Sequence, residues 1–151
     1  MKFFGIVADT LGDELGNIQR IGFRETQVFP TNNFDELSEN IVKAFIKSDN
    51  PFFEALNAKI QDVQLFPVIF RHGKNKFQIT LGPMEKVQLQ QMWGPSEDLP
   101  DNALYLDVDY YSIQPDRTSD LKLLVADFIN KAREIDSKVH VGITDAVLNK
   151  S

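Results

Sequence analysis

Hydrophobic and polar residues along this chain repeat with two periods, and each change of period marks an element. Residues 2–8, KFFGIVA, are a short apolar run that predicts a strand. It begins almost at the first residue, which fits a chain that opens on a strand or one preceded by a further N-terminal segment. DTLGDELG follows and reads as a loop. Residues 17–29, NIQRIGFRETQVF, alternate with the two-residue period of a strand. Ile21, Phe23 and Phe29 fall on one face, and Arg20, Gly22, Arg24 and Thr26 on the other. Pro30 closes the run, and Gly22 inside it predicts a bulge or a close approach by another backbone.

The period then becomes helical. In NNFDELSENIVKAF, Leu37, Ile41 and Phe45 recur every four residues with Ala44 beside them, which makes one apolar stripe. Asn33 predicts the N-cap, with Glu36 three residues later as in a capping box. Pro51 ends this helix and, with Asn50 as cap, predicts a short second helix carrying Phe52, Phe53 and Leu56.

Alternation returns in three runs. Residues 60–71 contain Pro67, which predicts an edge strand or a bulge. Residues 76–82 place Phe77, Ile79 and Leu81 inward, and residues 86–93, KVQLQQMW, place Val87 and Leu89 opposite Gln88 and Gln90. The separators HGKN and GPM predict tight turns and antiparallel pairing. After the GPSEDLPDN loop, residues 103–113 predict another strand. A long helix over 119–135, capped by Thr118 or Ser119, carries Leu121, Leu124, Val125, Phe128, Ile129, Ala132 and Ile135 on one stripe. ITDAVLNK predicts a short terminal helix capped by Thr144. The order is ββα(α)ββββα(α). It predicts an α+β domain over residues 1–151, with a single mostly antiparallel sheet of about six strands and two main helices packed on one face.

Composition narrows the classes of function. A net charge of −6 without a Lys/Arg-rich run argues against nucleic acid as partner, because phosphate binding needs concentrated positive charge. The absence of cysteine excludes disulfides, thiolate metal sites and cysteine nucleophiles. The N-terminal apolar run is too short for a secretory leader, and no run reaches the roughly 18–20 apolar residues of a membrane helix. A cytoplasmic chain with no membrane partner is the expectation.

The candidate chemistry lies in ALYLDVDYYS, residues 103–112. Leu104, Leu106, Val108 and Tyr110 share one strand face, and Tyr105, Asp107, Asp109 and Tyr111 share the other, predicted to be the wetter. Asp is a poor strand residue, so two acids on one strand face ask for a reason. Three readings compete. The carboxylates could hold one divalent ion with waters, or work as an acid/base pair. They could also pair across the sheet with Arg20 and Arg24, the matching two cations on one face of another strand. Trp93, before Gly94-Pro95, could anchor a partner or close one end of the core. His72 lies in a turn, and His140 lies between two valines, where a satisfied half-buried side chain is expected. No zinc-type histidine spacing, nucleophile elbow, P-loop or dinucleotide fingerprint occurs, so neither a metal nor a cofactor is expected.

Arg20-Ile21-Gly22-Phe23-Arg24, Leu106-Asp107-Val108-Asp109 and Ile143-Thr144-Asp145 together resemble a sporadically distributed, uncharacterised prokaryotic family. Its members carry an R-I-G-x-R strand, an L-D-x-D strand and a terminal helix preceded by I-T-D. The resemblance spans about residue 15 to the end, and it implies Arg20, Gly22, Arg24, Asp107, Asp109, Thr144 and Asp145 as shared positions. Here Glu25-Thr26-Gln27 stand where the family has Tyr-Ile-Asn, and the family's additional N-terminal region has no counterpart in this sequence. The resemblance implies no reaction. The expectation is a binding module whose protein or small-ligand partner meets a polar sheet face carrying Arg20, Arg24, Asp107, Asp109, Tyr105 and Tyr111, with Trp93. The alternatives are an enzyme using the two carboxylates, and an antitoxin-like or immunity-like inhibitor of a basic protein.

Overall fold

A computed structural model describes residues 3–8, 20–46, 63–73, 75–112 and 121–148. Among these residues the strands are β1 (Phe3–Ala8), β2 (Ile21–Pro30), β3 (Phe66–His72), β4 (Asn75–Glu85) and β5 (Asn102–Ser112). The helices are α1 (Phe34–Phe45), α2 (Lys86–Trp93) and α3 (Leu121–Val147). The five strands form one sheet in the order β1-β2-β5-β4-β3. β1 runs antiparallel to β2, from Phe3↔Thr26 to Ala8↔Ile21. That register is unbroken, so the bulge expected at Gly22 is absent from this pair. The start of β5 lies beside the end of β2, through Thr31 N–H donating to the Asn102 carbonyl at 3.0 Å. It also lies beside the end of β4, through Lys86 N–H to the Asp101 carbonyl at 2.8 Å. β5 therefore runs antiparallel to both neighbours. A turn at Gly73, with φ of +61°, joins β3 to β4.

These elements correct the expected architecture of six strands and two main helices in the order ββα(α)ββββα(α). Among the described residues the order is ββαββαβα. KVQLQQMW is the helix α2, not a strand. Leu89 is fully buried and Trp93, one turn later, packs against the same cluster, while Val87 is 58% exposed. That is helical spacing, which the chance alternation of Val87 and Leu89 mimics. Gln88 Oε1 reaches back to the Glu85 N–H at 2.8 Å, and Gly94, at φ of +85°, ends the helix with its N–H on the Gln90 carbonyl.

The long helix does not stop near 135. α3 continues through Gly142 to Val147, so the separate terminal helix capped by Thr144 does not exist. Thr144 lies inside α3 and its hydroxyl donates to the Val141 carbonyl at 3.1 Å. Buried Ile143 and Val147 extend the apolar stripe, and the Asn40 side-chain amide donates to the Val147 carbonyl at 3.0 Å, satisfying one of the terminal acceptors. The short helix expected after Pro51, and the N-terminal cap of α3, lie outside the described residues. Pro67 does sit on an edge strand, β3. α1 begins as its sequence implies: Asn33 Oδ1 accepts from the Glu36 N–H at 3.1 Å.

The chain divides into two compact units. One comprises Met1–Gln27, Pro67–Thr80 and Leu106–His140. Its core sets Ile21, Phe23 and Tyr110 against Phe128 and Ala132 of α3, with Phe77, Val125 and Ile135 at the margin. α3 thus covers the face that holds Ile21 and Phe23. The other unit comprises Val28–Phe66, Leu81–Tyr105 and Val141–Ser151. There α2 brings Leu89 onto Met84, Ala103 and Tyr105, with Val28, Trp93 and Leu99 around them. Ala103 and Tyr105, two residues apart, share one side of β5, and α2 covers that side there.

Candidate functional site

Strand period places the site. Arg20 immediately precedes β2, and Arg24 and Thr26 follow on the same side because side chains two apart share a face. Ile21 and Phe23 project the other way into the core, which leaves the arginines on the face away from α3. On β5, Tyr110 enters that same core, so Asp107, Asp109 and Tyr111 share the arginines' face. Antiparallel pairing of β2 with β5 then brings two cations and two acids together within the first unit.

The two pairs differ in strength. Arg24 grips Asp107 with two parallel bonds, Nε to Oδ1 and Nη2 to Oδ2, both at 2.8 Å. Thr26 Oγ1 adds a third donor to Oδ1 at 3.0 Å. The Asp107 side chain is only 7% exposed, while Arg24 lies over it at 57%. A fork of this kind fixes both position and plane. Arg20 makes a single bond from Nη2 to Asp109 Oδ2 at 3.1 Å, with side-chain exposures of 49% and 25%. The Arg20 guanidinium also lies over the Tyr111 ring, 4.8 Å from its centroid, as a cation–π contact. Burial pushes the Asp109 carboxyl above its ordinary range. Arg20 and Arg24 pull it down, Asp107 pushes it up further, and burial prevails.

Gly22 lies buried between the arginines. A Cβ there would meet the Tyr111 Cβ at 3.7 Å and Asp109 Oδ1 at 3.9 Å, which are ordinary contacts. The close approach expected at this glycine is therefore loose enough for alanine.

Not every expected residue joins this group. Tyr105 is 3% exposed and belongs to the apolar cluster beneath α2, in the other unit. Its ring lies 5.9 Å from that of Trp93, which packs on the same cluster. The β5 face is therefore not uniformly wet: α2 covers it at Tyr105, and Arg24 roofs it at Asp107. Thr144 and Asp145 lie in α3 within that other unit. His140 is half-buried on α3, and the side chain of His72 lies outside the described residues.

Two polar residues escaped the sequence reading. Glu25 and Gln27 lie on the inward face of β2, each 4% exposed, and Gln27 Nε2 donates to Glu25 Oε1 at 2.7 Å. Period two alone puts both beside Ile21 and Phe23. The signal was present in the alternation, but their polarity argued against burial.

Chemically, the arrangement presents donors. Both Asp107 oxygens are engaged by Arg24 and Thr26, so metal ligation by this residue would require displacing a bidentate clamp. Among the described residues no three His, Asp or Glu side chains come together as a metal would need. No helix among them is long and apolar enough to cross a membrane. The chain matches no protein-family model, no curated protein and no solved structure.

Proposed function

We propose that this chain is a binding module whose partner, a protein or a small ligand, meets the Arg20–Asp109 and Arg24–Asp107 face. One observation carries this reading. Two guanidinium groups stand about half exposed on a sheet, each oriented by a carboxylate rather than left to sample rotamers. A long side chain fixed in advance loses less entropy when it binds, and planar forks are suited to directional recognition. The family resemblance through R-I-G-x-R and L-D-x-D belongs to the same proposal, and its shared positions include these four residues together with Gly22, Thr144 and Asp145. Trp93 and Tyr105 do not contribute to this surface, because they pack on each other.

The test is retention of a partner. A tagged chain passed over extract of its host is expected to hold a protein or ligand that Arg20→Ala loses and Lys43→Ala, at an exposed position of α1, keeps. The melting temperature of Arg20→Ala should stay close to that of the parent, since exposed ion pairs contribute only about 0.2–1 kcal/mol. Equal retention by both variants would remove this face from the function.

A further inference from the structure

The two ion pairs on the face are not equivalent, and their difference suggests which one opens. Asp107 accepts three bonds, two of them from the same guanidinium at 2.8 Å, and is nearly buried. To displace it, an incoming group would have to replace all three and leave a desolvated carboxylate behind. Asp109 accepts one bond from Arg20, at the longer distance of 3.1 Å, and keeps a quarter of its side chain in water. Tyr111 holds the Arg20 guanidinium by its face, so an acceptor can approach the edge while the cation stays in place.

We infer that Arg20 is the exchangeable cation of this face. It takes a ligand carboxylate in place of Asp109, while the Arg24–Asp107–Thr26 cluster stays closed and fixes the two strands. This rests on the binding-face reading above and gives it a ligand class. A free carboxylate can offer Arg20 two coplanar oxygens where Asp109 offers one, and bidentate geometry is the stronger. Burial already disfavours the charged form of Asp109, which makes it a weak internal competitor. Tyr111 then orients the cation and Asp109 acts as its resident stand-in, an anion that holds the place of the ligand.

The experiment follows the arginine Nε–H resonances and the backbone amides of Thr26 and Tyr111 by NMR while sodium acetate is titrated against sodium chloride at equal ionic strength. The Arg20 resonance is expected to move saturably with acetate and not with chloride, and the Arg24 resonance to stay. Asp109→Asn removes the competing charge and should tighten acetate binding roughly two- to fivefold, the span of an exposed ion pair. Arg20→Lys, followed at the Tyr111 backbone amide, should lose the saturable acetate shift that the parent shows there, because an ammonium presents no planar fork. Asp109→Ala is the second variant and should tighten binding as well. An acidic peptide blocked at both ends separates sources: affinity beyond what its number of carboxylates supplies assigns an acidic protein segment, and affinity within that number a free organic acid. Unchanged or weaker acetate binding in both Asp109 variants overturns the exchange. If Arg24 or Thr26 then responds instead, the binding face survives and only the role of Arg20 fails. Silence of every face resonance toward acetate overturns the carboxylate as ligand, and retention of the host partner by Arg20→Ala overturns the face itself.

Discussion

Asp107 and Asp109 stand two residues apart on one strand and each meets its own arginine, yet they should respond in opposite ways to loss of charge. Asp107→Asn removes a carboxylate that accepts three bonds and leaves Arg24 above a neutral amide. Unfolding in urea is expected to show a loss of about 1.5–3 kcal/mol, the range for hydrogen bonds to charged groups. Asp109 is different because burial outweighs its cations and its folded carboxyl titrates above the ordinary range. The folded state therefore binds this proton more tightly than the unfolded state does. Stability contributed by protonated Asp109 is present at low pH and falls as pH rises from the ordinary carboxylate value through the raised one. Asp109→Asn cannot titrate. Its stability relative to the parent should rise between about pH 3 and pH 7, most steeply in that window. A relative stability that falls with pH would mean that Arg20 outweighs burial after all.

At the scale of elements, the clearest errors of sequence reading come where two periods coincide. In KVQLQQMW, alternation fits Val87 and Leu89, while the four-residue step fits Leu89 and Trp93, and burial sides with the step. Gln88 and Gly94, as start and stop signals, were the local features that could have decided it. In α3, Thr144 suggested the cap of a new helix, but the burial of Ile143 and Val147 carries one helix through Gly142 and Thr144 against their weak propensities. Two glycines provide opposite checks. Gly142 has open space around it inside a helix, so Gly142→Ala should stabilise the chain by about 0.5–1 kcal/mol. Gly82 faces the Leu65 Cα at 2.9 Å and the Gln64 carbonyl at 3.0 Å from any added Cβ. Because the obstacle is backbone, Gly82→Ala should cost about 1–3 kcal/mol. Thermal melts of the two variants, shifted in opposite directions, check both.

For the whole molecule, strand phase was legible and strand count was not. Ile21 and Phe23 against Arg20 and Arg24, and Tyr110 against Asp107 and Asp109, followed from period two alone, and these phases place the candidate site. What covers each face did not follow, because coverage is a tertiary property. Nothing local to Tyr105 announces that α2 closes over it, and nothing local to Asp107 announces the Arg24 roof. The dominance of Asp107 over Asp109 was hidden for the same reason, since identical residues in identical strand positions differ only in their neighbours.

The place of β3 at the rim of the sheet carries a last consequence. Val68, Ile69 and Phe70 are exposed there, Ile69 at 61%, on a strand that has a partner on one side in the strand order. Such a border is a template on which a second molecule can lay its own backbone. Pro67 leaves it one amide proton short. Restoring that proton with Pro67→Val should let molecules zip together, seen as light scattering that grows with concentration while the native chain stays unchanged. A Pro67→Val chain that remains monodisperse would mean that the imino acid does not guard this border.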